Sequence, residues 1–158
     1  MNYTFEQLPL KDREFLLQVP AYVAVLIAGA DSEINKAEID EAISLTQLKK
    51  VTSREMLQEY YDQVRPIFPT ALAKLIESMP KDGRLREQQL TETLEKVNPI
   101  LDRLEHKFAV QFYASMKNFA KGVAESSGGV FGYMTVSYEE SKLVDLPMIH
   151  NPDDKPSS

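Results

Sequence analysis

The stretch VPAYVAVLIAGA, Val19 to Ala30, leaves this chain few ways to fold. It has no charged residue and offers water no polar face. It is well short of the roughly 18 or more apolar residues that suggest a membrane span. A helix that is hydrophobic all round belongs in the middle of a bundle, ringed by other helices. Ala21, Ala24, Ala28 and Gly29 are small enough to let those neighbours approach closely. Pro20 either opens a new helix in its first turn or kinks one that begins near Lys11. With 158 residues, 43% of them hydrophobic, the chain can bury one such core.

The rest of the pattern is helical too. Ile39, Ala42, Ile43 and Leu45 mark an ordinary amphipathic helix that pairs with the central one as a hairpin. From Met56 to Met79 apolar residues recur at steps of three and four, but Pro66 and Pro69 predict a break with a restart near Thr70. MPKDGR ends that stretch with turn chemistry. Leu90, Leu94, Val97, Leu101, Leu104, Phe108, Phe112, Met116, Phe119 and Val123 then form one core-facing stripe, bent or interrupted at Pro99. It has too few clean heptads for a coiled coil. Beyond Pro147 the apolar periodicity stops. The expectation is an all-α fold, a single helical bundle of about six to eight helices over residues 1–147, followed by a disordered tail over 148–158.

Composition removes several function classes. There is no Cys, which excludes disulfides, thiol chemistry and cysteine-rich zinc sites. A formal charge of −6 without any basic run argues against nucleic acid, whose binding draws on Lys and Arg. The N-terminus lacks the features of a signal peptide, so a cytoplasmic location and no membrane insertion are expected. The chain has two histidines. His106, between stripe positions Leu104 and Phe108, reads as a solvated residue, and His150 lies in the tail. With no GxSxG or HExxH motif, nothing points to an enzyme.

Two loops stand apart. The first, AGADSEINKAEI over residues 28–39, half matches a calcium loop. With Asp31 at position 5, Glu33, Asn35 and Glu38 fall at 7, 9 and 12, but Ser32 replaces the Gly at 6, and positions 1 and 3 fall on Ile27 and Gly29. The same residues make a capping box, Asn35 to Glu38, which is reason enough for Glu38. The second loop, ESSGGVFGYMTVSYEE over 125–140, lacks the Lys-Ser/Thr of a phosphate-binding loop. It ends in a matching box, Ser137 to Glu140, so the two form an approximate repeat of helix-loop-helix hairpins. Its Val130, Phe131, Tyr133 and Met134 either tuck over the core or face a protein partner. A divalent-cation site would draw on Asp31, Glu33, Asn35, Glu38 and Glu140, and would hold Ca2+ weakly, because two ligand positions are missing. A capped turn without a resident cofactor is the preferred reading.

Residues 19–43, through Ala30, Asp31, Ile34 and Glu38, resemble the helix-loop-helix core of the TerB-like family, the tellurite-resistance-associated helical domains. Ser32 stands where that family has Gly after the Asp. The resemblance implies an all-helical bundle, sometimes metal-binding, in proteins tied to stress responses and multi-protein assemblies. It implies no catalytic residues. The functional expectation is a non-catalytic protein-interaction module with an unknown protein partner. The alternative is a divalent-cation sensor using the loops at 30–38 and 125–140.

Overall fold

The computed structural model describes residues 2–30, 34, 36–52, 55–126 and 143–154. Among them the fold is all-α. The helices are α1 (Leu10–Ala28), α2 (Lys36–Thr52), α3 (Glu55–Ser78), α4 (Gly83–Glu95), α5 (Val97–Arg103) and α6 (His106–Ser126), with 3-10 turns at Phe5–Gln7 and Pro152–Asp154. No helix among the described residues is long and apolar enough to cross a membrane.

The apolar run lies where its lack of a polar face requires. Val19, Val23, Ala24, Val25 and Ile27 have no exposed surface, and α1 packs against α2, α3, α4 and α6. Each buried Val, Leu or Ile there contributes on the order of 1.5–3 kcal/mol. Pro20 does not interrupt α1, which continues through it from Leu10 to Ala28. A proline cannot donate to the carbonyl four residues back, so Leu16 loses its helical partner. The hydroxyl of Tyr60, on α3, donates to the Leu16 carbonyl oxygen at 2.6 Å in its place. Burial pushes the Tyr60 phenol well above its ordinary pKa, so it stays a neutral donor.

Tyr60→Phe should therefore cost about 1–2 kcal/mol by leaving that buried carbonyl unsatisfied. In a Pro20→Ala background the restored backbone N–H answers the carbonyl, and the same substitution should cost clearly less. Urea unfolding of the four proteins decides this, and equal costs in both backgrounds would disconnect the two residues.

Around Tyr60 an aromatic cluster joins three parts of the chain. Its ring meets Phe5 at 5.6 Å, Tyr61 at 5.0 Å and Phe112 at 5.4 Å between centroids, each edge to face. Tyr61 shares a buried hydrogen bond with Ser115 of α6.

Three expectations are corrected. α3 does not break at its prolines but runs unbroken from Glu55 to Ser78. Pro66 and Pro69 are both exposed, whereas Tyr61, Val64, Phe68 and Leu72 are buried on the other side. The missing hydrogen bonds thus fall where water replaces them, while the buried stripe holds both halves on the core. The stripe from Leu90 to Val123 is buried as expected, but three helices carry it. The first interruption is at Lys96, just before Pro99 enters the opening turn of α5. The second, at Leu104 and Glu105, is bridged by the N-terminal segment. The Tyr3 N–H donates to the Arg103 carbonyl at 2.7 Å, and the Glu105 N–H donates to the Tyr3 carbonyl at 2.9 Å.

The third correction concerns the tail. Residues 148–154 are ordered against the bundle, not disordered. Met148 and Ile149 are buried, along with Leu143 and Leu146. The Asn98 side chain clamps the segment from both sides, donating to the Met148 carbonyl at 3.0 Å and accepting from the His150 N–H at 2.8 Å. Leu146 takes a positive φ of 48°, a conformation that costs a non-glycine residue roughly 1–2 kcal/mol. Its complete burial offsets that cost. The hairpin expected to repeat the first one falls mostly in 127–142, outside the described residues.

Candidate functional site

The first expected site begins where α1 stops. Gly29 is buried, and its carbonyl accepts from the Arg86 guanidinium at 3.0 Å. The other terminal nitrogen of Arg86 donates to the Pro80 and Lys81 carbonyls, both at 3.3 Å. Arg86 is only 3% exposed, and it places a permanent positive charge at the negative end of the α1 dipole. Gly29 is required here for space. A Cβ at this position would lie 2.7 Å from one guanidinium nitrogen and 2.8 Å from another.

Past this point Ile34 packs partly buried against the core, and Glu38 is buried in the first turn of α2. Asp31, Glu33, Asn35 and Glu140 lie outside the described residues, as do Val130, Phe131, Tyr133 and Met134. Among the described residues no three carboxylate or imidazole side chains converge as metal ligands.

A second surface is fully described, and the periodicity of α1 builds it. Lys11, Phe15, Gln18 and Tyr22, at steps of four, three and four, share one side of the helix. Phe15 and Tyr22 are half-buried, with ring centroids 5.9 Å apart. Burial raises the Tyr22 phenol pKa. This ridge runs between two grooves that meet at Gln18 and Tyr22. One, of about 630 Å³, is walled by Pro66, Ile67, Ala71, Lys74 and Leu75 of α3. The other, of about 690 Å³, is walled by Thr93, Lys96, Pro99, Ile100 and Arg103 of α4 and α5.

Arg103 is committed to Asp12 at 2.6 Å, a bond that ties α5 to the start of α1. The charges left along the two grooves are Lys11, Lys74 and Lys96 against Glu14. On a chain of net charge −6 this is a local positive surplus. What the arrangement can do is seat apolar side chains on either side of an aromatic ridge while lysines meet carboxylates at the rim.

Hydrophobic patterning conceals this face, because Val19 to Ala30 is apolar almost throughout. Tyr22 is the exception, and its spacing from Gln18, Phe15 and Lys11 was the available signal. Comparison of the chain with protein families, with curated proteins and with solved structures finds no match.

Proposed function

We propose that this chain is a non-catalytic protein-interaction module, a bundle of the TerB-like kind, whose outer face of α1 docks an acidic amphipathic segment of another protein. The observation that carries the reading is the aromatic pair Phe15 and Tyr22, left half open on the most buried helix and flanked by two lysine-rimmed grooves. Aromatic residues at the centre of a contact with a charged rim are the usual composition of a recognition surface. Three of the buried polar contacts described above support a non-catalytic role, because they hold the bundle together. Tyr60 answers Leu16, Tyr61 meets Ser115, and Arg86 caps α1. The alternative, a divalent-cation sensor, has Arg86 against it, since that fixed cation is bonded two residues ahead of Asp31.

A photoreactive amino acid placed at Tyr22, with Glu92 as the exposed control position, tests the proposal in cells. The expected adduct forms at position 22, and its cross-linked peptide is amphipathic and net acidic. That peptide, made synthetically, should bind the wild-type chain and lose about tenfold or more in affinity to Tyr22→Ala, as expected of a central aromatic contact. Equal adduct yields at both positions, or equal binding by the variant, would refute the docking face.

A further inference from the structure

Away from the α1 face, and independent of it, the segment over residues 143–154 is built as a separate piece. Among the described residues its backbone pairs with itself. The Leu146 N–H donates to the Leu143 carbonyl at 2.8 Å, Ile149 to Leu146 at 3.0 Å and Asp154 to Asn151 at 3.0 Å. The segment is a run of turns that can move as one body without taking a backbone bond from any described helix.

What holds it to the bundle is of two kinds. Leu143, Leu146, Met148 and Ile149 are buried in the core that α5 and α6 help to form. Asn98 of α5 reads the main chain, its amide nitrogen donating to the Met148 carbonyl and its amide oxygen accepting from the His150 N–H. Such a pair recognises a backbone whatever its side chains, and the apolar residues supply the specificity, which is how peptide-binding grooves divide the task. Two further contacts, Lys117 with Asp145 at 3.9 Å and His106 with Asp153 at 3.0 Å, involve exposed carboxylates and are weak. Against the fastening stands Leu146, whose φ of 48° relaxes once the segment leaves.

We propose that residues 143–154 are a releasable strap, and that the surface of α5 and α6 beneath it is a docking groove for a segment of another chain with the same chemistry. That segment is an apolar turn that offers Asn98 a carbonyl and an N–H two residues apart, as Met148 and His150 do. In the closed state the chain's own strap fills the groove. A partner has to displace an occupant tethered at high effective concentration, so docking there is held off until the strap opens.

The test uses the 15N-labelled full chain. In hydrogen exchange the amides of Leu146, Ile149 and His150 should open together, about a hundredfold or more readily than those of Val23 and Ala24 in α1, and low urea should speed only the latter steeply. Asn98→Ala should raise the opening of the strap about tenfold, as for the loss of one or two hydrogen bonds. Ile149→Asp should detach the strap and leave the bundle folded. The unlabelled peptide of residues 143–154 should then bind that variant in trans, shifting the Asn98 side-chain amide signal, and should bind the wild-type chain about tenfold or more weakly because its groove is filled. Strap amides that exchange only together with α1 would overturn the proposal, as would an Ile149→Asp chain that loses its bundle fold. So would a peptide that fails to bind the variant, binds wild type equally well, or binds undiminished when Asn98→Ala is added.

Discussion

Leu26→Asp is expected to leave no cooperatively folded protein. Leu26 is 2% exposed, between Val25 and Ile27 on a helix packed against α2, α3, α4 and α6. A carboxylate among those side chains loses its hydration without gaining a partner, a penalty of several kcal/mol even after relaxation. Total stability of a domain this size is only about 5–15 kcal/mol. Leu26→Ala separates charge from cavity. It should lower stability by about 2–5 kcal/mol yet still unfold in a single transition. Near-UV circular dichroism and urea titration of both variants provide the check. A soluble Leu26→Asp chain with a cooperative transition would take α1 out of the centre of the fold.

The second large effect is expected at Arg86. Arg86→Met keeps much of the side-chain volume but withdraws every donor from the Gly29, Pro80 and Lys81 carbonyls. The loss should be about 3 kcal/mol, the scale of a buried hydrogen bond to a charged group. Gly29→Ala attacks the same contact from the other side. Its Cβ would meet the guanidinium at 2.7 Å, so the guanidinium must shift and its bond to the Gly29 carbonyl is lost. The two changes should be strongly non-additive, because a methionine side chain yields where the bonded guanidinium does not. Chemical denaturation of the two single variants and the double variant measures this. Simple addition of the two costs would show that Gly29 is small for some other reason.

How far the fold was legible follows from the reach of each signal. The burial of Val19 to Ala28 and the stripe Phe108, Phe112, Met116, Phe119 and Val123 could be read directly, because a periodicity of 3.6 compares residues within a turn or two. Pro66 and Pro69 misled, since the cost of a proline depends on which side of the helix faces water, and that is a property of the bundle. The break at Leu104 falls inside an unbroken apolar stripe, and its bridging partner, Tyr3, lies at the far end of the chain. The ordered segment at 148–154 carries only two apolar residues and no period, and its anchor, Asn98, lies about fifty residues upstream. Of the candidate cation ligands, Glu38 is buried at the start of α2, and the others are outside the described residues. The α1 docking face needed one half-exposed tyrosine to be noticed inside an apolar run.

The backbone bridge between Tyr3 and the α5–α6 junction also bears on how the molecule assembles. Bundles dominated by contacts close in sequence fold quickly, because each step closes only a short loop. This bridge closes about one hundred residues at once, and both its hydrogen bonds depend on α5 and α6 already having ended and begun in the right places. It therefore belongs to the late, downhill side of the folding barrier. Loosening it, as by Tyr3→Pro, should leave the folding rate nearly unchanged and speed unfolding, so that the junction acts as a latch on the lifetime of the native state.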